Sequence, residues 1–265
     1  MLITMSTLTP ADLQAWRGYQ RYDQAIGSLM NREEQNAIQE IRSFHSTHPD
    51  CIISVSWGKD SVVVAHLAWL ADPRIPIVWV PAIRKDGRCY EAEATFQVRD
   101  AFLDSHHGAV YQERPGHPRT PRRGEPGFDQ YMHDESKPQD QLKEQIHEPH
   151  ITGVRADESA MRRMSIRSRG LSSTHTSRPI GRWSAEQVFA YLETRHLPVH
   201  PAYAASYGGT LDRRWLRVHS LRSPTITRLA GSAPTHYKDT TRWEDDYFPR
   251  LAADQPRNRI GDEKS

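Results

Sequence analysis

Two short runs rich in β-branched residues, CIISVS (51–56) and IPIVWV (75–80), are separated by a turn and an apolar helical segment, 61–70. That alternation constrains the chain more than any other feature. Continuous apolar strands interleaved with helices require both strand faces to be covered, which is the property of a parallel sheet in an α/β domain. The pattern continues with a helix over 90–103, a weak third strand over 109–111 and a fourth, ITGV, over 151–154. The expected fold class is α/β: an open, mainly parallel sheet with helices on both faces.

The flanks read differently. Thr9 followed by Pro10 is an N-cap and first-turn pair, opening a helix of about twenty residues with Leu13, Trp16, Tyr19, Ile26 and Leu29 as its apolar positions. Asn31 is the expected cap of a second helix through Ile38, Ile41 and Phe44. Ser184 and Gln187 have capping-box spacing ahead of Val188, Phe189, Tyr191 and Leu192. The organisation is an N-terminal helical extension over 1–50, an α/β domain over 51–203 and an irregular C-terminal extension over 204–265. Within the domain, 114–137 is rich in Pro, Gly and Arg without periodicity and reads either as a mobile insertion over a site or as a disordered segment. From Asp239 the tail carries seven acids against five bases, and its end is expected to fray.

At 265 residues the chain can bury a core without staples. Two cysteines, Cys51 and Cys89, exclude a disulfide framework, a four-cysteine zinc site and an all-cysteine iron–sulfur cluster. No apolar run approaches about 18 residues, and the N-terminus has neither basic leader nor apolar core. No membrane contact is expected, and the location is expected to be cytoplasmic. The net charge of +2 does not by itself point to nucleic acid. Its make-up is more informative: 29 of the 35 basic residues are Arg. Arg suits planar, bidentate recognition of phosphate and carboxylate. Between Arg155 and Arg182 stand seven Arg and no Lys, against Asp157 and Glu158 alone, so an anion is expected there. Among 14 histidines, His147 with His150 and His196 with His200 have ligand-like spacings, but no Cys or carboxylate completes a set. They read as exposed or loop residues.

Ser56-Trp57-Gly58-Lys59-Asp60-Ser61 sits where the first strand hands over to a helix. Unpaired N–H groups and the positive dipole end of a helix favour an anion there. Gly58 lets the backbone approach phosphates, Ser56 and Ser61 offer hydroxyls, and Lys59 adds a charge. In an open α/β sheet this turn lies at the ligand-binding edge. The spacing is not that of a Walker loop. It resembles the PP-loop, S-G-G-K-D-S, of ATP pyrophosphatases, with Trp57 in place of the first Gly; an aromatic there can stack or pack. ITGVRADESAMRRM (151–164) resembles the G-[IV]-R-x-x-E-S-x-x-R segment of the phosphoadenylylsulfate (PAPS) reductase-like branch of that family. RPIGRWSAEQVFAYLETRHLPVHPAY (178–203) resembles its P-[IL]-x-x-W-x-x-x-D-V-[WF]-x-Y-[IL] and L-P-x-[NH]-P-x-Y pieces, with Gln187 where Asp is usual and Trp183 read as packed.

The resemblance implies a PP-loop (HUP-type, Rossmann-like) adenine-nucleotide domain over 51–203. It implies ATP and Mg²⁺, with cleavage between the α and β phosphates, adenylation of an unidentified acceptor and release of pyrophosphate. Such a transfer is mostly positioning and charge neutralisation. Lys59, Asp60 and Arg155 are the candidate catalytic residues, and Asp60 is the candidate metal ligand. The candidate nucleotide contacts are Ser56, Trp57, Gly58, Lys59, Asp60 and Ser61 with Gly153, Arg155, Arg162 and Arg163. Glu158 and Ser159 would cap the following turn. Glu91 and Glu93 read either as acids near the substrate or as first-turn acids of a helix. Reductases of the family carry a nucleophilic cysteine in a C-terminal E-C-G-[LI]-H motif, whereas no cysteine follows Cys89 here. Adenylation is therefore the preferred reading. The alternatives are a PAPS or adenylylsulfate reductase relying on Cys89, or a non-catalytic subunit binding nucleotide or nucleic acid. Residues 114–123, with four Arg and no acid, suit phosphate-backbone contacts. The partners considered are an adenine nucleotide, an acceptor, nucleic acid at that loop and a second copy of the chain in a homo-oligomer.

Overall fold

The computed structural model describes residues 1–4, 8–83, 91–114, 117–118 and 146–216. Two helices, α1 (Pro10–Gly27) and α2 (Asn31–Thr47), precede β1 (Ile52–Val55) and α3 (Lys59–Ala71). Then come β2 (Ile77–Trp79), β3 (Ala82–Ile83), α4 (Glu93–Ser105), β4 (Tyr111–Glu113) and β5 (His117–Pro118). After β6 (His150–Ile151) follow a 3₁₀ turn (Ala156–Glu158), α5 (Ala160–Arg169), β7 (Thr176–Ser177) and α6 (Ala185–Thr194). Cys89, most of the Arg-rich insertion and the acidic tail from Asp239 lie outside the described residues.

The local signals are realised through side-chain caps. Thr9 accepts from the Asp12 amide, and the Asp12 carboxylate accepts in return from the Thr9 amide at 3.1 Å. Ser184 and Gln187 form the same reciprocal box at α6. At α2 the cap position falls on Met30, one residue before the expected Asn31, and carries no side-chain bond. β6 is shorter than the run at 151–154. After the Thr152 amide donates to the Ser177 carbonyl, the chain leaves the ladder toward α3. The two-residue strands β3, β5 and β7 were not anticipated, because segments so short show no periodicity.

The main sheet runs in the order β4-β2-β1-β6-β7, all parallel. An open parallel sheet with helices is therefore the fold, as its strand pattern requires. Alternation along β1 and β2 sends Ile53, Val55, Ile77 and Trp79 into a large core shared with α1 to α4 and α6. Ile52 and Val78 point the other way and are buried with Val80 and Ile146. The strand order reverses at β1, whose neighbours are β2 on one side and β6 on the other. In open α/β sheets the ligand crevice lies at the carboxyl ends of the strands at that point. Among the described residues no helix is long and apolar enough to cross a membrane.

Residues 201–216 are tied back to α1. The Asp12 carboxylate accepts from the Ser206 and Gly208 amides at 3.0 and 2.8 Å. Arg213 and Asp23 make a buried bidentate pair at 2.5 and 2.6 Å, with the guanidinium stacked on Tyr19 and Phe189.

Of the four histidines with ligand-like spacings, His200 lies in a connection but is buried, and two histidines outside that set, His66 and His106, are packed against each other. His200 is buried at the start of the Pro201–Tyr203 turn. Its Nδ1 accepts from the Ala202 amide at 3.1 Å, leaving the proton on Nε2, 3.4 Å from the Thr95 hydroxyl. His106 Nδ1–H donates to the Phe102 carbonyl at 2.7 Å, so its Nε2 accepts from His66 Nδ1–H at 2.8 Å. The bonds made by His200 and His106 require neutral rings, and burial disfavours the charged form of His66. Burial pushes His200 down to about 3. Burial, then the His106 and Arg195 charges, bring His66 to about 3. In the unfolded chain each titrates near about 6.5. Their contribution to stability is therefore full above that pH and is lost as pH falls toward about 3, at about 1.4 kcal/mol per pH unit for each ring. Urea unfolding followed from about pH 7.5 to 5 should show that decline; a flat profile would contradict the neutral assignments.

Candidate functional site

The PP-loop-like turn occupies the carboxyl end of β1 and the first turn of α3. Gly58 is the helix cap with extended backbone and no side-chain cap bond. The loop is tightened from within: the Ser56 amide donates to Ser61 Oγ at 3.2 Å, and Ser61 Oγ–H donates to the Gly58 carbonyl at 3.0 Å. Ser56 remains exposed while Gly58, Lys59 and Ser61 are buried.

Trp57 adopts φ of 55°, the left-handed region in which glycine is at ease and a bulky side chain is strained. That conformation is a physical reason for glycine at this position of the motif. The ring is wholly buried, with its centroid 5.6 Å from Phe102, 6.0 Å from Tyr111 and 6.5 Å from Trp79. Of the two roles open to an aromatic here, its side chain packs.

Arg155, ninety-five residues further on, reaches this loop. Its Nε donates to Asp60 Oδ1 at 2.6 Å, its Nη1 donates to the Trp183 carbonyl at 3.2 Å, and its amide donates to Glu158 at 2.7 Å. Lys59 Nζ meets the other Asp60 oxygen at 2.5 Å. One carboxylate thus bridges two buried cations. Burial alone would raise Asp60, but the Lys59 and Arg155 charges hold it below the ordinary carboxylate range. Burial pushes the Lys59 ammonium down, against the pull of Asp60. Gly153 permits the approach: a Cβ there would lie 2.7 Å from the Asp60 carbonyl carbon.

Tyr203 is a neighbour that the motif reading treated as scaffold. Its hydroxyl accepts from the Lys59 amide at 3.2 Å, and the Lys59 ammonium lies 5.5 Å from its ring centroid. The phenol therefore sits where a helix N-terminus presents an N–H to a ligand. Its place in the L-P-x-H-P-x-Y piece was the available signal, since His200 builds the turn that carries it.

The remaining site candidates are placed as follows. Glu158 closes the 3₁₀ turn by accepting from the Arg155 amide, and Ser159 caps α5, accepting from the Arg162 amide at 3.2 Å. Arg162 is half-exposed and ion-paired with Glu158 at 2.5 Å, and Arg163 is exposed; among the described residues the ion pair of Arg162 is with Glu158, not with the PP-loop. Glu93 opens α4 and Glu91 is buried just before it. Cys51 is buried at the amino end of β1, five residues and roughly 17 Å from Ser56 along an extended strand. Burial pushes its thiol up to about 11.

Magnesium fits this arrangement poorly. Both Asp60 oxygens are engaged by cations, and no group of three His, Cys, Asp or Glu residues suited to a metal exists among the described residues. A cavity of about 350 Å³ between the N-terminus, α1 and α6 is lined by Leu2, Leu13, Trp16 and Gln20 among others, and by none of the loop residues.

The comparisons agree with this geometry. The phosphoadenosine phosphosulfate reductase domain matches residues 50–211, the stretch that contains β1, the loop, Arg155 and Tyr203. The phosphoadenosine 5'-phosphosulfate reductase of Xanthomonas oryzae pv. oryzae is 25% identical over 189 residues, covering 63% of this chain and 73% of the relative. The enzyme of that name from Xanthomonas axonopodis pv. citri is 24% identical over 216 residues, covering 74% and 79%. That of a Synechococcus species is 22% identical over 173 residues, covering 59% and 70%. With the domain match spanning more than half its length, the chain belongs to the PAPS reductase family of the PP-loop superfamily.

Proposed function

We propose that the chain is a sulfonucleotide enzyme of the PAPS reductase type, binding an adenine nucleotide with its phosphates over the loop at residues 56–61. The observation that carries this reading is the convergence of Lys59 and Arg155 on the helix N-terminus at the sheet's switch point. In such a reaction a thiolate attacks the sulfate sulfur and an S–S bond forms. The S–O bond to the α-phosphate breaks, and the phosphate leaves with the electron pair. A second thiol then releases sulfite and leaves a disulfide. Lys59 and Arg155 would neutralise the charge that grows on the departing phosphate. The relatives' names favour this reading over the adenylation preferred on sequence grounds.

The thiol is the open element. Cys51 lies at the wrong end of β1 with a raised pKa, which leaves Cys89 or a thiol delivered by a second molecule. That distribution of cysteines also favours a second reading, an ATP pyrophosphatase that adenylates an acceptor without sulfur redox chemistry. One assay set separates them. Sulfite release from phosphoadenylylsulfate or adenylylsulfate with a dithiol, lost in Cys89→Ser, supports the first reading with Cys89 as nucleophile. Release that survives the substitution supports an external thiol. Pyrophosphate release from ATP without any sulfite would move the assignment to the second. In either case Lys59→Ala should weaken adenine-nucleotide binding by about tenfold or more, read by calorimetry; unchanged binding would remove the loop from the site.

A further inference from the structure

The cavity between α1 and α6 is lined apart from the PP-loop, by residues that the nucleotide site does not use. Leu13, Trp16, Arg17 and Gln20 stand three and four residues apart on α1, so they share one face of that helix. Leu2, held beside Val199 by a parallel bridge, joins them, with Glu193 and His196 from the end of α6. At about 350 Å³ the cavity is at the small end of the range for ligand sites.

Two features of this wall point to an occupant. His196 has a φ of 53° and stands where the chain leaves α6. Its amide donates to the Glu193 carbonyl at 3.2 Å, and the Leu197 amide donates to the Leu192 carbonyl at 2.9 Å. These are the paired bonds that end a helix on a left-handed residue, where glycine fits best. The imidazole is thus placed on the cavity wall against the preference of its own backbone. The second feature is a surplus of donors. Neither Arg17 nor His196 has an ion pair or side-chain hydrogen bond among the described residues. Trp16 Nε1 is buried and has no hydrogen-bond partner among them. The carboxylate of the wall, Glu193, is already met by Gln20 Nε2, 3.2 Å from both oxygens, and by Gln24 at 3.4 Å. Donors without acceptors, beside the apolar Leu2, Leu13 and Trp16, call for an anion carried on an apolar body.

We propose that this cavity is a small-molecule site, separate from the nucleotide site, for a carboxylate with an apolar body. The carboxylate meets the Arg17 guanidinium and His196, and the body lies against Leu2, Leu13 and Trp16. Two sources share that chemistry: a simple apolar acid, and an apolar α-amino acid whose ammonium turns to Glu193. None of residues 56–61 lines the cavity, so the proposal stands without the nucleotide reading.

Calorimetry on the full chain compares 3-phenylpropanoate with L-phenylalanine, and 4-methylpentanoate with L-leucine. Acetate lacks the apolar body and 2-phenylethylamine lacks the carboxylate, so neither control binds. Arg17→Gln weakens binding of the carboxylates about tenfold. Arg17 is exposed, so this variant keeps the test decisive if a cavity-filling one does not fold. His196→Gly weakens binding while melting no lower than the wild type, because glycine relieves the left-handed backbone. Leu13→Trp fills the cavity and abolishes binding. If the source is an amino acid, it binds tighter than the matching acid, and the gap closes in Glu193→Gln. If the source is a simple acid, it binds at least as tightly, and Glu193→Gln weakens neither. Failure of all the carboxylates to bind at millimolar concentration overturns the proposal. So does binding that Arg17→Gln and Leu13→Trp leave unchanged, or binding of 2-phenylethylamine as tight as that of the acids.

Discussion

Asp60→Asn is expected to lower the stability of the chain by about 3–5 kcal/mol, because it strands two buried cations without their shared counter-ion. Lys59 and Arg155 are both buried, and each takes one oxygen of that carboxylate. For a chain of this size the loss corresponds to a fall in melting temperature of about 10 °C. The carboxyl is held below its ordinary value, so its contribution is present above about pH 4 and fades as pH drops below that. The same substitution should change ligand response in the opposite direction. With the internal carboxylate gone, a nucleotide phosphate becomes the replacement counter-ion, so adenosine 3',5'-bisphosphate should raise the melting temperature of Asp60→Asn by more than it raises that of the wild type. Thermal melts with and without the nucleotide check both halves. An equal shift in the two proteins would mean that the phosphate does not meet Lys59 and Arg155.

The second large effect is at Trp57. Removing its ring should cost about 3–5 kcal/mol, the range for emptying a buried aromatic site. The order of the small replacements is the sharper test. At ordinary helix or strand positions alanine is the more stable of the pair. Here φ is 55°, and a left-handed non-glycine residue costs about 1–2 kcal/mol. Trp57→Gly should therefore be more stable than Trp57→Ala by about 1 kcal/mol after glycine's greater unfolded-state entropy is counted. Urea midpoints of the two variants give the answer directly. If alanine proves the more stable, the backbone at this position is not left-handed in solution. The tryptophan thus carries backbone strain that the motif's usual glycine avoids, and the buried cluster with Phe102, Tyr111 and Trp79 offsets it.

Much of the architecture was legible from residue order because its causes are local. Thr9-Pro10 and Ser184 to Gln187 start helices through bonds spanning three residues. The runs at 51–56 and 75–80 are strands because β-branched residues fit a pleated, two-sided core. The loop between them lies at a helix N-terminus for the same reason. Where the reading fell short, the determinants were distant or the elements too short. β7 has two residues, too few to show a period, and pairs in parallel with β6. The pairing of His66 with His106 is invisible in the sequence, because nothing near either residue shows that they pack together forty residues apart. Arg162 and Arg163 were expected to turn toward the loop, but the i,i+4 pair with Glu158 holds the first along α5 and leaves the second in solvent.

By itself the sequence determined a parallel α/β sheet, an anion-favouring turn after its first strand and an arginine-rich segment after the fourth predicted strand. These follow from side-chain periodicity, helix-end chemistry and composition, which act within a few residues. Only the tertiary structure decided which group answers which. Strand order brings Arg155 to Asp60 across 95 residues, brings Tyr203 to the Lys59 amide across 144 and leaves Arg178 Nη1 without a hydrogen-bond partner among the described residues. The physical reason is that the strength of a charge or hydrogen bond depends on distance and burial, and β1, β6 and β7 become neighbours only when the sheet assembles.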